Sequence, residues 1–157
     1  MSIERARAHL EKFGFAERIQ EFSVSSATVA LAAEALGTEP RRIAKTLSFS
    51  QGDKVVLIVA AGDAKIDNKK YKARFATKAK MLAFEEVEER IGHAVGGVCP
   101  FGVKDSVPVY LDESLKRFET VFPAAGESNN AIELSISELE LASEYTAWIN
   151  VTKTVQE

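Results

Sequence analysis

The order of apolar and polar residues along the chain predicts a mixture of helices and strands. Apolar residues three or four positions apart predict a first helix over 3–13, which Gly14 ends. The same spacing, with capping residues at the ends, predicts further helices over 29–36, 68–75, 84–91 and 137–143. Apolar or alternating runs between turn residues predict strands over 45–50, 55–61, 107–111, 120–122, 132–134 and 148–151.

The run at 55–61 indicates where the centre of the sheet lies. Its seven consecutive residues are all apolar, as expected for a strand that is buried on both faces. Helices and strands are mixed without a regular βαβ alternation, which favours an α+β domain with a mixed sheet over a doubly wound one. The length of 157 residues fits a single domain over 1–157.

The charge of the chain is unevenly distributed. The net charge of −3 argues against non-specific binding to DNA. Residues 65–80, however, carry seven Lys or Arg residues and one Asp, followed directly by an acidic block at 85–89. Two interpretations remain open: a solvated lysine-rich helix, or a stripe that meets RNA phosphates. The lysines considered for phosphate contacts are Lys65, Lys69, Lys70 and Lys72.

Several classes of protein are disfavoured by composition. No apolar run approaches the ~18 residues of a membrane span, and the first residues lack the apolar segment of a signal peptide. The single cysteine cannot form an internal disulfide, so a cytoplasmic location is expected. With one cysteine and two histidines, no structural zinc site is expected. No phosphate-binding glycine motif follows a strand, so no nucleotide cofactor is expected either.

The densest cluster of special residues lies at 92–102. It holds four glycines, one proline, the only cysteine and one of the two histidines. Glycine and proline shape a loop whose backbone can approach a ligand closely. Cys99 with His93 as its base would form a thiol nucleophile, but a buried and inert cysteine is the commoner case.

Two other places could carry side-chain chemistry. Lys45 opens a predicted strand beside Thr46, either as a surface lysine or as a cation fixed on rigid backbone and aimed into a pocket. The loop at 124–130 holds small and polar residues after a predicted strand, as a turn or as a pocket wall.

Taken in order, these motifs resemble those of a known family. The series comprises Leu36-Gly37, Lys45-Thr46-Leu47, an apolar strand running into Gly62-Asp63, the loop 96–102, Asp112, Ala125-Gly126 and Ile132-Glu133-Leu134. It resembles the YbaK/ProX family of aminoacyl-tRNA deacylases, free-standing relatives of the editing domain inserted in bacterial prolyl-tRNA synthetase. The resemblance implies one YbaK-like domain, with a curved mixed β-sheet surrounded by helices.

The resemblance also implies a function and its residues. The function is hydrolysis of a wrongly attached small amino acid from tRNA, with tRNA(Pro) the expected substrate; a non-catalytic module that binds aminoacyl-tRNA or a synthetase is the alternative. Lys45 matches the family's catalytic lysine. The implied substrate-binding residues are Thr46, Gly96, Gly97, Val98, Cys99, Pro100, Ala125, Gly126, Ser128 and Asn129. Mischarged tRNA is the implied partner, and an aminoacyl-tRNA synthetase is a second candidate.

Two positions depart from the family pattern. Cys99 stands where many relatives have serine, which is harmless if this position supplies only backbone groups. Ala131 stands where some cysteine-specific relatives carry aspartate, which argues against Cys-tRNA as the substrate. The remaining pattern favours small aliphatic residues, such as alanine or 2-aminobutyrate.

Overall fold

The computed structural model describes residues 2–22, 28–93 and 98–154. Within these residues the helices are α1 (Ser2–Glu11), α2 (Val29–Leu36), α3 (Asn68–Phe75), α4 (Val87–Ile91) and α5 (Ile136–Ser143). The strands are β1 (Gln20–Glu21), β2 (Ile43–Gln51), β3 (Lys54–Ala61), β4 (Ala64–Ile66), β5 (Val109–Asp112), β6 (Thr120–Pro123), β7 (Asn130–Ala131), β8 (Leu134–Ser135), β9 (Ala147–Ile149) and β10 (Thr152–Thr154).

The main sheet is mixed, as predicted. Its six described strands follow the order β8-β6-β2-β3-β5-β9. The pair β2–β3 is antiparallel along its whole length, and β6–β8 is also antiparallel. The pairs β2–β6, β3–β5 and β5–β9 are parallel. Two antiparallel ribbons, β1–β7 and β4–β10, lie outside this sheet.

Strand β3 is central and buried on both faces, which confirms the interpretation of the 55–61 run. Leu57 and Val59 pack into the larger core, which also contains Leu10 of α1. Val56 and Ile58 point to the other face and pack with Tyr71 of α3. The alternation follows the two-residue period of a strand, so both faces of the sheet carry hydrophobic cores.

Side chains cap the first turns of three helical segments. The Thr28 side chain accepts from Leu31 N, and Asp67 accepts from the amides of Lys69 and Lys70. Asp112 caps a 3-10 turn at Glu113–Arg117 through Ser114 N. Within the described ranges no helix is long and apolar enough to cross a membrane.

Several element boundaries differ from the prediction. The predicted helix 84–91 starts as a 3-10 turn at Phe84–Glu86, and only Val87–Ile91 is α-helical. The predicted strand 107–111 begins at Val109, because Pro108 lacks the amide hydrogen that a ladder needs. The predicted strand 132–134 is wrong as a continuous strand: Ile132 and Glu133 lie between β7 and β8.

The C-terminal strand is also divided. The segment predicted over 148–151 is β9, which ends at Ile149, and the chain then forms β10 from Thr152. Strands β1, β4, β7 and β10 were not predicted. Each has two or three residues, too few for a two-residue period to be recognised.

Candidate functional site

A cavity of about 370 Å³ lies at an uncovered stretch of the β2 edge. β6 pairs with β2 only at Ile43 and Ala44. Further along, Ser48 O accepts from Leu82 N at 3.0 Å, and Ser50 N donates to Lys80 O at 2.8 Å. Backbone groups of alternate residues in a strand point to the same edge. The amide and carbonyl of Thr46 therefore face the uncovered stretch between the pairing with β6 and the hydrogen bond of Ser48.

The lining of the cavity is mostly apolar with a few polar groups. Its apolar walls come from Val29, Ala32, Ile43, Ala44, Leu82, Val87, Val98, Phe122, Ala124 and Ala131. Its polar groups come from Thr28, Lys45, Thr46, Ser48, Glu127, Ser128 and Asn130. Met81 and Phe84 also line it and are strongly exposed, with 71% of Phe84 accessible to solvent. This composition is typical of a small-molecule site, in which apolar walls give affinity and few polar groups fix orientation.

Lys45 enters the cavity from one face of β2. It lies opposite Ala60 of β3, and its Nζ donates a hydrogen bond to the carbonyl oxygen of Ala64. Burial lowers the pKa of Lys45, the carboxylate of Asp63 acts against this, and the charge of Lys65 lowers the pKa further. The ammonium is therefore held at a fixed place with incomplete hydration, where its field on a bound ligand is strong.

The carboxylate of Asp63 is itself fixed by a neighbour. Arg117 donates to its two oxygens at 2.5 and 3.0 Å. The hydrogen bond from Arg117 is the main reason that the pKa of Asp63 is lowered. Asp63 thus remains ionised and contributes a constant negative charge near Lys45.

Thr46 reaches the cavity from the opposite face of β2. Its hydroxyl oxygen is buried and has no hydrogen-bond partner among the described residues. A buried hydroxyl without a partner costs about 1–3 kcal/mol, so such groups are rare in stable folds. A bound ligand that hydrogen-bonds to this hydroxyl would remove the cost.

The loop after β6 is held by one side chain that sequence reasoning missed. Asn130 Oδ1 accepts from Ala125 N at 3.0 Å and from Glu127 N at 3.3 Å. Its Nδ2 donates to Ala125 O at 3.1 Å. The loop therefore presents Ser128 and Glu127 to the cavity on a fixed backbone.

The other predicted residues of this loop do not line the cavity. Ala125 and Gly126 are buried, and Asn129 Nδ2 donates to Phe22 O at 3.5 Å. The sequence alone does not distinguish Asn130, which holds the loop by hydrogen bonds, from the neighbouring Asn129.

The glycine-rich loop is described only in part. Gly96 and Gly97 lie outside the described residues, and Val98 lines the cavity. Cys99 and Pro100 are buried and do not line it; Pro100 borders a separate cavity of about 480 Å³.

The environment of Cys99 argues against a nucleophilic role. Its Sγ lies 3.5 Å from His93 Nε2, but the thiol is fully buried. Burial raises the pKa of the Cys99 thiol to about 12. Because the thiolate is the nucleophile, this cysteine is inert at neutral pH. The Cys99–His93 hypothesis therefore lacks the reactive species that it needs.

The four candidate phosphate-binding lysines are divided between two surfaces. Lys65 and Lys70 line a cavity of about 670 Å³ beside the β4–β10 ribbon, whereas Lys69 and Lys72 lie exposed on α3. Within the ranges that the structure describes, no three His, Cys, Asp or Glu side chains are grouped so as to hold a metal ion.

Another missed part of the site is the wall formed by α2. Val29 and Ala32 pack with Ile43 and Phe122 in a small separate core. The spacing of three residues between Val29 and Ala32 was a usable signal, since such pairs share a helix face. The exposed Met81 and Phe84 had no such signal, because isolated apolar residues are common on surfaces.

Residues 24–141 match the model of the aminoacyl-tRNA editing domain family, and the chain belongs to this family. It is 54% identical over 154 residues to the uncharacterized protein YwhH of Bacillus subtilis (strain 168), covering 98% of each chain. It is 28% identical to a segment of the proline–tRNA ligase of Caldicellulosiruptor bescii, covering 75% of this chain and 20% of the ligase. It is 35% identical to a segment of the proline–tRNA ligase of Halalkalibacterium halodurans, covering 65% of this chain and 18% of the ligase. This chain thus spans about a fifth of the ligases' length.

Solved structures show the same fold. One, described as a candidate trans-editing enzyme for prolyl-tRNA synthetase, has a TM-score of 0.86 at 29% identity and covers 97% of each chain. The hypothetical protein APE2540 has a TM-score of 0.79 at 25% identity, covering 92% of this chain and 99% of its own. The resemblance to the YbaK/ProX family and the α+β fold with a mixed sheet are thereby confirmed.

Proposed function

We propose that this protein is a trans-editing hydrolase, which cleaves the ester between a small aliphatic amino acid and the 3′ end of tRNA(Pro). The observation that carries the proposal is one small apolar cavity that gathers Lys45, Thr46, Val98 and Ser128 from distant parts of the chain. Three of these residues belong to motifs that define the resemblance to the deacylases. The family to which the chain belongs supports the same reaction class.

The proposed chemistry needs no strong nucleophile. A water molecule attacks the carbonyl carbon of the ester, the bond to the ribose oxygen breaks, and that oxygen leaves as a hydroxyl with a proton from the water. An aminoacyl ester is already activated, so positioning and stabilisation of the developing oxyanion are sufficient. The fixed ammonium of Lys45 supplies the positive charge for the terminal nucleotide and the oxyanion.

The size and lining of the cavity support a small aliphatic side chain. A volume of about 370 Å³ is at the lower end of the range for ligand pockets. Glu127 offers a carboxylate for the substrate's ammonium, and Ala131 places a methyl group at the wall. Discrimination between alanine and 2-aminobutyrate is expected to be modest, since one methylene contributes about 1–3 kcal/mol.

The test is a panel of tRNA(Pro) charged separately with alanine, 2-aminobutyrate, serine, cysteine, threonine and proline. We expect release of the small aliphatic residues and not of proline. Lys45→Met should reduce kcat/KM by about 10²–10³-fold, as for loss of one oxyanion donor, with an unchanged melting temperature. Lys54→Met, at an exposed lysine on the same sheet, is the matched control.

Two results would overturn the proposal. Full activity of folded Lys45→Met would remove the role of the lysine. Tight binding of charged tRNA without release from any member of the panel would instead identify a non-catalytic binding module. The proposed source of substrate is a proline–tRNA ligase, because segments of such ligases match this chain.

A further inference from the structure

The β4–β10 ribbon brings together lysines that are far apart in the sequence. Lys65 and Lys153 lie directly opposite each other in its antiparallel register, and both side chains are exposed. Like charges directly across a ladder destabilise the pair of strands. Neither ammonium forms a hydrogen bond or ion pair with another residue that the structure describes. Local conflicts of this kind are expected where a function needs them.

Within the described ranges, the carboxylates of Asp63, Asp67 and Glu113 near the ribbon already have partners. Asp63 binds Arg117 at 2.5 and 3.0 Å, and Glu113 lies 3.7 Å from Lys116 Nζ. Asp67 accepts from two backbone amides at the start of α3. None of these groups forms a salt bridge with Lys65 or Lys153, although the charge of Lys153 contributes to lowering the pKa of Asp67. Both lysines are exposed, so their ammonium groups face solvent.

The ribbon borders the cavity of about 670 Å³ described above. Among the residues that the structure describes, its charged lining consists of four cations, Lys65, Lys70, Lys153 and Arg117, and one carboxylate, Glu113. Lys70 Nζ is partly occupied by Thr152 O at 2.8 Å and Asn150 Oδ1 at 3.3 Å. The polar residues Ser114, Asn150, Thr152 and Thr154 complete the lining of this basin, whose excess of positive charge suits a polyanion.

This basin starts next to the proposed catalytic lysine. Lys45 Nζ donates to Ala64 O, and the next residue along β4 is Lys65. The charge of Lys65 acts on Lys45 itself. A chain of phosphates leaving the cavity at Lys45 therefore meets positive charge on β4 and then on β10.

We propose that the β4–β10 ribbon, through Lys65 and Lys153, binds backbone phosphates of the RNA whose esterified end occupies the cavity. This inference rests on the proposed function for the identity of the RNA. It assigns a role to Lys153 and selects Lys65 from the lysine-rich segment, whereas Lys69 and Lys72 on α3 lie outside the basin.

The test measures binding of uncharged tRNA(Pro) by the full chain at several salt concentrations. Loss of two phosphate contacts in Lys65→Gln/Lys153→Gln should reduce the slope of log K against log salt by about 1.4–1.8. The same relation predicts binding about 15- to 30-fold weaker at 0.15 M salt. The control is Lys12→Gln/Lys54→Gln, which removes equal charge from two exposed lysines elsewhere.

A second substrate separates the ribbon from the cavity. Cleavage of an aminoacyl-adenosine ester, which has no phosphates, should be the same in wild type and in Lys153→Gln, because Lys65 acts on Lys45 and Lys153 is not among the charges that shift the pKa of Lys45. The melting temperature of this variant should equal or exceed that of wild type, because the like-charge pair is removed.

The possible failures are distinguishable. If the double variant binds tRNA with the wild-type affinity and salt slope, the ribbon proposal is overturned, and an acidic protein surface becomes the alternative occupant. If wild type binds tRNA but cleaves no ester, the proposed hydrolysis fails. The ribbon proposal is then tested only by comparing the tRNA affinities of wild type and the double variant. Absence of salt-dependent tRNA binding by wild type overturns both.

Discussion

The partnerless hydroxyl of Thr46 predicts a variant that is more stable and less active. Thr46→Val replaces the buried hydroxyl by a methyl group of similar size. A buried hydroxyl without a hydrogen bond costs about 1–3 kcal/mol, part of which the extra methyl group recovers as apolar burial. We expect the free energy of unfolding to rise by about 1 kcal/mol, and Tm by about 2–4 °C for a chain of this length.

The same substitution at Thr152 is a control that should change the melting temperature in the opposite direction. Thr152 Oγ1 is buried and donates to Asp112 Oδ2 at 2.7 Å. A hydrogen bond to a charged group contributes about 1.5–3 kcal/mol. Thr152→Val should therefore lower Tm by about 3–12 °C, while Thr46→Val raises it. Thermal unfolding followed by circular dichroism measures both.

The activity of Thr46→Val tests whether the hydroxyl serves the ligand. Loss of a neutral hydrogen bond to the substrate predicts a kcat/KM about 3- to 10-fold below wild type on charged tRNA. Thr46→Ser keeps the hydroxyl and should retain most of the activity. A Thr46→Val protein that is less stable than wild type and fully active would refute the reasoning, since the hydroxyl would then be satisfied within the fold.

Two further predictions follow from the buried polar groups. Asn130→Ala removes three hydrogen bonds within the loop after β6, so unfolding in urea should show a loss of about 2–3 kcal/mol, together with a lower kcat/KM because Ser128 is displaced. The thiol of Cys99, with its pKa raised to about 12, should resist iodoacetamide at pH 8 in the folded protein and react only after unfolding. Because the folded state retains this proton where the unfolded state releases it, the thiol stabilises the fold below pH ~9, and this contribution decreases towards pH 12. Comparison of urea unfolding at several pH values in wild type and Cys99→Ala measures that difference, and rapid alkylation of the native protein would contradict the assignment.

The predictable parts of the fold are those with strong local signals. β3 was found from its continuous apolar run, and α3 from helical spacing together with capping residues at its ends. The ribbon β4–β10 was missed because its strands have three residues each and pair across a long sequence separation. The opposition of Lys65 and Lys153 is a consequence of that pairing, and no local pattern contains it.

The candidate site was predictable only where a motif marked it. Lys45 and Thr46 were identified through the family resemblance, and the structure places both at the cavity. Their positions on opposite faces of β2 follow from the two-residue period of a strand. Asn130 was missed because its function depends on hydrogen bonds to a folded loop, which composition does not reveal.

The gap that makes the cavity begins where β6 ends, at Pro123. Pro123 lies opposite Ala44, where the β2–β6 pairing ends, and its carbonyl oxygen accepts from Ile132 N in the segment that leads to β8. The chain continues as the loop that Asn130 holds by hydrogen bonds, and this loop supplies Ser128 and other residues that line the cavity. Had β6 continued, its backbone would satisfy the edge at Thr46 and fill the space now open to a ligand. The end of one strand pairing thus exposes backbone donors and acceptors, and the loop that follows encloses them. Side chains alone, without this interruption, would not form a site on β2.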